Sequence, residues 1–127
     1  MARPPAKELT ERELQVMQVF WNRGEATATE ARDLLATAGL DLAYVTVANL
    51  IRTVLEKGFL EQTNDERPFS YRAARSFDEV SHSLVGDLLR RVFQGSREQL
   101  LLNVLKRRRL TAKERALLRE ILEEQGP

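Results

Sequence analysis

The fold is decided by residues 44–60, which read YVTVANLIRTVLEKGFL. The stretch opens with β-branched residues, as strands do, yet its apolar residues recur three and four positions apart, which is the spacing of a helix. These apolar residues are Val47, Leu50, Ile51, Val54 and Leu55. Gly58 stands where a glycine ends many helices. We therefore predict a helix from about Tyr44 to Lys57.

The residues upstream predict a helix, a short extended segment and a second helix. Thr10 is followed three residues later by Glu13, which is the capping-box pattern of a helix start. A first helix is therefore expected over about 11–21. Residues 25–27 are predicted to be extended, and Thr29 is predicted to cap the second helix.

Two strands are predicted after the central helix. Residues 59–63 form the first strand, and residues 69–73 form the second, in which apolar and polar residues alternate. The loop between them, NDERP, makes the pair a β-hairpin with a charged tip. Helix, strand, helix, helix and hairpin in this order are typical of a winged helix-turn-helix, a DNA-binding arrangement. We assign residues 1–75 to this domain.

The remaining residues, 76–127, are predicted to form three helices, over about 77–93, 97–107 and 112–124. Each start carries Ser or Thr followed three residues later by Glu or Gln. The apolar stripes are too wide for about 50 residues to bury alone, and a second copy of the chain is the simplest cover. We predict a homodimerisation domain held through Leu84, Leu88, Val92, Leu101, Leu105, Leu118, Ile121 and Leu122. The predicted fold class is α+β, mostly α.

The face of the central helix opposite its apolar stripe is polar. Asn and Arg can each form two hydrogen bonds with a base, and Thr offers a hydroxyl or a methyl group. Lys57, near the helix end, and Arg67, at the hairpin tip, are placed for phosphate contacts, which add affinity without reading sequence. The predicted DNA-binding residues are Tyr44, Thr46, Ala48, Asn49, Arg52, Thr53, Lys57 and Arg67.

Composition narrows the function classes. The chain has 127 residues and a net charge of +1, and it lacks cysteine, which excludes disulfides and thiolate metal sites. His82, the only histidine, lies near Asp78 and Glu79, a set more typical of a surface cluster than of a metal site. No apolar run approaches the ~20 residues of a membrane span, and no secretory leader is recognised. We expect a cytoplasmic protein that is not an enzyme, binds no membrane and carries no metal or cofactor.

One dense basic run, KRRR, occupies residues 106–109. It follows the second tail helix, and the helix dipole favours cations at a helix C-terminus. The basic run therefore has three possible roles: stabilising the helix end, contacting the DNA backbone, and docking a protein partner.

Four stretches in register resemble the BlaI/MecI family of penicillinase repressors, whose copper-responsive CopY relatives share the fold. They are LTERELQVMQVFW at 9–21, TVANLIRTVLEKGFL at 46–60, RPFSYRA at 67–73 and GSREQLLLNVLKRRRLTAKERALLREIL at 95–122. The resemblance implies a dimeric repressor that binds an inverted-repeat operator. Ala48 and Asn49 stand where family members usually carry a longer polar residue and Thr, so a different operator is expected. Copper sensing through a cysteine cluster is excluded.

The same resemblance implies a route of inactivation. In penicillinase-type members, a membrane-bound sensor metalloprotease triggers cleavage at an Asn-Phe bond in the tail. The matching position here is Asn103-Val104. If the bond is cut, the smaller Val104 requires a protease with a different pocket. Val104 is also expected to be core of the dimer interface, and the two expectations are compatible because cutting this helix would break the interface.

The predicted function is a sequence-specific transcriptional repressor. It is expected to bind double-stranded operator DNA of pseudo-palindromic sequence as a homodimer, and to be inactivated by proteolysis or another signal that disrupts the dimer. Two alternatives stay open. One is a winged-helix module that binds protein, because residues 1–75 carry 10 Lys+Arg against 11 Asp+Glu. The other is a regulator that responds to a small molecule or a metal.

Overall fold

The structure is a computed structural model that describes residues 9–126, so residues 1–8 and 127 of the two predicted domains lie outside the described residues. Within this range the chain forms six helices and one small sheet, which confirms the predicted α+β, mostly α class. The elements are α1 Glu11–Arg23, β1 Ala26–Thr27, α2 Ala28–Thr37, α3 Tyr44–Glu56, β2 Leu60–Gln62, β3 Ser70–Ala73, α4 Phe77–Arg91, α5 Arg97–Lys106 and α6 Ala112–Gln125.

Side-chain caps begin five of these helices. Capping boxes start α1, α2 and α6, and the hydroxyls of Ser76 and Ser96 accept N–H groups at α4 and α5. At α2 the cap is Thr27, so the prediction that Thr29 caps this helix is wrong. The Glu30 backbone N–H donates to the Thr27 hydroxyl at 3.2 Å, and the Glu30 carboxylate accepts from the Thr27 N–H at 2.9 Å. The sequence held this signal, because Thr27 has a glutamate three positions later and Thr29 does not.

The strands form one antiparallel sheet in the order β1-β3-β2. Thr27 pairs with Ser70 on one side of β3, and Gln62 pairs with Tyr71 on the other. The predicted hairpin is therefore present, and the extended segment predicted at residues 25–27 supplies the third strand. Because β1 leads directly into α2, this pairing fixes the start of α2 beside the hairpin.

A continuous hydrophobic core joins α1, α2, α3, the sheet and the first turns of α4. Its largest fully buried side chains are Phe20, Phe59, Met17, Ile51, Val16, Val47, Val54 and Val80. Burying one such side chain stabilises the fold by roughly 1.5–3 kcal/mol. This part of the chain therefore covers its own apolar stripes.

The connection from β3 to α4 is held to that core. The Trp21 indole N–H donates to the Arg75 carbonyl oxygen at 2.9 Å, and the Trp21 ring packs edge-on against Phe77 with centroids 5.3 Å apart. The Arg75 guanidinium lies 4.6 Å from the centre of the Phe59 ring and pairs with Glu79. These contacts explain why α4 starts against the core rather than after a flexible linker.

The described chain divides into two compact units, the first ending at Asp87 and the second beginning at Leu88. The division lies inside α4, not after residue 75, where the sequence placed the domain boundary. The reason is packing: Val80 is 1% exposed, and Leu84 is partly buried against the core of the first unit. Leu84, predicted to hold the dimer, thus already packs within its own chain.

The second unit behaves differently, because neither α5 nor α6 contains a buried residue. The predicted dimerisation residues Leu105 and Leu118 are half-buried. The large apolar side chains exposed on this unit are Leu88, Val92, Leu101, Leu102, Val104, Leu117, Ile121 and Leu122. Extended apolar surface of this kind marks an interaction site. None of the described helices is both long and apolar enough to cross a membrane.

Candidate nucleic-acid interface

Helix α3 has one buried face and one exposed polar face. The buried stripe consists of Val47, Ile51 and Val54, each at most 2% exposed. On the opposite face the side chains of Thr46, Asn49 and Arg52 are exposed, and Ala48 is half-buried at the edge. The structure thus brings four of the predicted base-contacting residues to one side of one helix.

The start of α3 lacks the side-chain cap seen at the other described helices. Its N-cap residue is Ala43, and its first turn contains no acidic residue. Uncapped N–H groups at a helix N-terminus, together with the helix dipole, favour an anion there. Tyr44 and Val45 flank this end and are 48% and 65% exposed. Val45 was not among the residues predicted from the sequence; it falls off the apolar stripe, and its methyl groups suit apolar contact with a thymine methyl.

The Thr53 hydroxyl is committed within the helix. It donates to the Asn49 backbone carbonyl at 3.0 Å. A hydroxyl whose proton is used in this way can accept a hydrogen bond but cannot donate one to a phosphate. Thr53 therefore suits a base amino group better than the DNA backbone.

Lys57 forms an ion pair that the sequence prediction missed. Its ammonium donates to the Glu13 carboxylate at 2.8 Å, and the Glu13 side chain is 5% exposed. The Thr10 backbone N–H donates to the same oxygen at 2.7 Å. Burial alone would raise the pKa of Glu13, but the bonds from Lys57 and Thr10 outweigh it and lower that pKa below its ordinary value. The pair ties the end of α3 to the start of α1.

The predicted phosphate contact of Lys57 is correspondingly weakened. Its charge is largely balanced by Glu13, although the side chain keeps 26% of its surface exposed. The partners stand 44 residues apart in sequence, so no local pattern could indicate the pair.

The hairpin tip is ordered by Asn64. The Asn64 side-chain oxygen accepts from the Ser70 backbone N–H at 2.9 Å, and its amide donates to the Pro68 carbonyl at 3.1 Å. The Arg67 guanidinium lies over the Phe69 ring, 5.5 Å from its centre. Arg67 is thereby held at the exposed tip, where the sequence placed it.

A cavity of about 530 Å³ opens between the hairpin, the start of α2 and the start of α3. Hydroxyl groups and one guanidinium share its lining, contributed by Thr27, Thr29, Tyr44, Tyr71 and Arg67. Burial, then the nearby Tyr44, raises the pKa of Tyr71, so its hydroxyl keeps its proton and can donate. Donors and one cation without a carboxylate are a lining suited to an anion.

The hairpin strands carry less free positive charge than their arginines suggest. Arg72 pairs with Glu61 on the neighbouring strand, and this bond raises the pKa of the guanidinium. Asp65 and Glu66 stand beside Arg67 at the tip. Attraction to phosphate from this region therefore comes chiefly from Arg67.

A second cavity in the first unit, of about 500 Å³, lies between α1 and the end of α2. Val19, Leu34, Leu35 and Leu40 give it an apolar floor, and Gln15, Gln18 and Asn22 add amides. Among the residues described by the structure, no group of His, Cys, Asp and Glu is arranged to hold a metal ion.

The predicted cleavage position lies in the second unit, on α5. Asn103 is exposed, and Val104 is 62% exposed. Val104 therefore has no core of its own chain to fill.

The sequence of this chain is similar to those of known proteins. A family model described as penicillinase repressor matches residues 9–124. The chain is 24% identical over 115 residues to the methicillin resistance regulatory protein MecI of Mammaliicoccus sciuri, covering 91% of this chain and 93% of that protein. It has the same identity and coverage with MecI of Staphylococcus aureus strain N315.

Two solved structures share the fold. The complex structure of hsRosR-SG matches with a TM-score of 0.54 at 15% identity, covering 96% of each chain. A MarR family protein from Bacillus stearothermophilus matches with a TM-score of 0.50 at 17% identity, covering 94% of this chain and 79% of that one.

Proposed function

The chain belongs to the penicillinase repressor family and is a winged-helix, DNA-binding transcriptional repressor, and we propose that it acts as a homodimer on a pseudo-palindromic operator. The single observation that carries the dimer is the exposed apolar surface of the second unit, where α5 and α6 bury no residue. A second copy is the simplest cover for such a surface. A repressor must reach its DNA, so we place the protein in the cytoplasm.

We propose that α3 enters the major groove with its polar face towards the bases. Thr46, Ala48 and Asn49 would contact base edges, because recognition helices read bases mainly from their N-terminal half, and Arg52, further along the helix, would contact a base or a phosphate. Val45 joins them as an apolar contact. Asn49 suits adenine and Arg52 suits guanine, each through two hydrogen bonds.

Backbone contacts would surround this set. The uncapped start of α3 and the cavity beside it provide donors for one phosphate, with Tyr44 and Arg67 at its rim. Lys57 is a weaker candidate, because Glu13 balances its charge. Thr53 would accept a bond from a base rather than donate one to a phosphate.

Two copies of α3 would lie in successive major grooves, about 34 Å apart along the duplex. Binding through two half-sites is far tighter than through one, since the second contact is effectively intramolecular. Loss of the dimer would therefore release the operator. Cleavage at Asn103–Val104 by a membrane-bound sensor metalloprotease would cut α5 and remove part of the interface.

The proposal is tested with purified protein and the DNA upstream of its own gene, by fluorescence anisotropy at 50 and 200 mM salt. A scrambled duplex is the matched control. We expect operator binding to be at least about 1,000-fold tighter than binding to the control, with two chains per duplex and a steep fall with salt. Equal binding to both duplexes would contradict the choice of operator, and salt-insensitive or absent DNA binding would favour the protein-binding module.

The cavity between α1 and α2 gives the small-molecule alternative a defined binding site. An effector there would contact the apolar floor and the surrounding amides. A change of operator affinity on adding cell metabolites, abolished by Leu34→Trp, would support it. Unchanged affinity would leave proteolysis as the proposed signal.

A further inference from the structure

The second unit carries a concentration of positive charge that dimerisation does not explain. Between residues 106 and 119 stand seven cations, Lys106, Arg107, Arg108, Arg109, Lys113, Arg115 and Arg119, and one acid, Glu114. The Glu114 carboxylate accepts from the Thr111 backbone N–H at 2.8 Å and serves as a cap. The segment is thus strongly positive.

Helix stability accounts for only part of this charge. The cations at 106–109 follow α5, where the helix dipole favours them. Lys113 lies in the first turn of α6, where the dipole disfavours cations, and Arg115 and Arg119 follow further along the helix, where the dipole has little effect. The helix dipole therefore does not explain the cations of α6.

Three of the arginines share one concavity. Arg109, Arg115 and Arg119 line a cavity of about 430 Å³ together with Leu110 and Ala112. All three arginine side chains are exposed. In the part of the chain that the structure describes, no salt bridge involves any of them. Guanidinium forks match phosphate oxygens through paired hydrogen bonds.

From this juxtaposition we propose that Arg109, Arg115 and Arg119 form a second DNA-contacting site that binds backbone phosphates without reading sequence. The inference rests on the proposed function, because the repressor already holds DNA through its first unit and so keeps phosphates at a high local concentration. Acidic side chains of a second copy are the competing partner. A second copy of α6 carries four acids, of which Glu114 already caps its own helix and Glu120, Glu123 and Glu124 stand in its second half.

The test compares full-length wild-type protein with the triple variant R109Q/R115Q/R119Q on operator and scrambled duplexes. Each neutralised phosphate contributes about 0.9 to the slope of log affinity against log salt, so the three arginines contribute about 2.7 per chain and about 5.4 for the dimer. Between 50 and 200 mM salt the wild-type protein should lose about 40-fold more affinity than the variant if the site of one chain reaches the duplex, and about 1,800-fold more if both do. The loss should be equal on both duplexes, which preserves the operator preference.

Two matched variants complete the design. R109K/R115K/R119K keeps the charge and should keep most of the salt slope, while Arg97→Gln removes one cation of the same unit outside the cavity and should change it little. An unchanged slope in the glutamine variant, with operator preference intact in the wild type, would overturn this inference alone. A wild type without operator preference would instead refute the proposed function.

Sedimentation of the same variants tests the remaining explanation, in which the arginines contact acidic side chains of a second copy. We expect the glutamine variant to keep the wild-type oligomeric state. If it loosens or tightens the dimer and DNA affinity only follows, the arginines meet acidic side chains of a second copy, and the phosphate site is refuted.

Discussion

The helices of the two units form by the same local rules, but their apolar faces are buried to different extents. In the first unit, α1, α2 and α3 turn their stripes into a shared core whose largest side chains are under 2% exposed. In the second, α5 and α6 also begin with side-chain caps, yet neither contains a buried residue. Caps and periodicity thus determine where a helix forms. They do not determine which element or which partner chain buries its apolar face. The first unit covers its own apolar core, whereas the large apolar side chains of the second unit stay exposed in the single chain.

The largest effect should come from breaking the first core. Phe59→Ala empties a fully buried position against which the Arg75 guanidinium also packs. We expect a loss of about 3–5 kcal/mol in the free energy of unfolding, measured by urea denaturation. Val45→Ala on α3, where the side chain is 65% exposed, is the control and should cost far less. A loss under 1 kcal/mol for Phe59→Ala would contradict the packing described.

The next largest effect should come from disrupting the proposed dimer contact of the second unit. Ile121→Asp places a charge on the exposed apolar face of α6, where Ile121 is 41% exposed. The folded single chain should tolerate this change, but the dimer should not, because the charge would be buried without a partner. Operator affinity should fall by at least about 100-fold through loss of the second half-site. A dimeric Ile121→Asp protein with wild-type affinity would remove α6 from the interface.

The ion pair that joins α3 to α1 should matter less. Lys57→Met leaves the buried Glu13 charge without its cation. We expect a cost of about 2 kcal/mol, below the 3–5 kcal/mol of fully buried pairs because Lys57 is partly exposed. Adding Glu13→Gln to the same chain should recover part of that loss in a double-mutant cycle. Strictly additive losses would show that the two side chains do not interact.

The same pair gives a pH dependence with a defined sign. The pKa of Glu13 is lowered in the folded chain, so its contribution is present above the unfolded-state pKa and is lost as pH falls through the folded-state value. Wild-type stability should therefore fall more steeply than that of Glu13→Gln below about pH 4.5, the ordinary carboxyl range. Parallel curves would contradict the lowered pKa.

The exposed face of α3 offers a change that should leave both units folded. Asn49→Ala should cost about 1–3 kcal/mol of operator binding and relax the preference at one base pair, without altering the dimer. Binding to a panel of single-substitution operators measures both effects. Unchanged affinity and preference would exclude Asn49 from the base contacts.

The smallest effect tests the corrected cap. Thr27→Ala removes the side-chain partner of the Glu30 N–H and should cost about 1 kcal/mol. Thr29→Ala, two residues later in the first turn of α2, should change the free energy of unfolding by only a few tenths of that. Equal losses would mean that the capping box contributes nothing.

Local patterns predicted most of the fold, because caps, periodicity and alternation act within a few residues. The α3 stripe and the Ser70–Ala73 strand follow from them directly. The same patterns carry no information on contacts between distant residues, such as Lys57 with Glu13 or Trp21 with Arg75. The packing of α4 could not be predicted for the same reason, since its stripe looks the same whether it packs on the first core or on a partner.

The candidate site divides in the same way. The polar face of α3 could be predicted, because its exposure follows from the helix period once the buried stripe is known. The balanced charge of Lys57 and the bracing of the hairpin tip by Asn64 could not, since both depend on tertiary contacts. The cap of α2 at Thr27, rather than at Thr29, could have been predicted, because a glutamate follows Thr27 three residues later.

The most direct test of the account is the mass of the free protein and of its operator complex, measured by sedimentation equilibrium over 0.1 to 50 μM protein (a range of about three decades). One chain has a mass of 14.6 kDa, so the proposed homodimer should show twice that mass and bind with two chains per duplex. A protein that stays at 14.6 kDa throughout and saturates its operator as a single chain would contradict it.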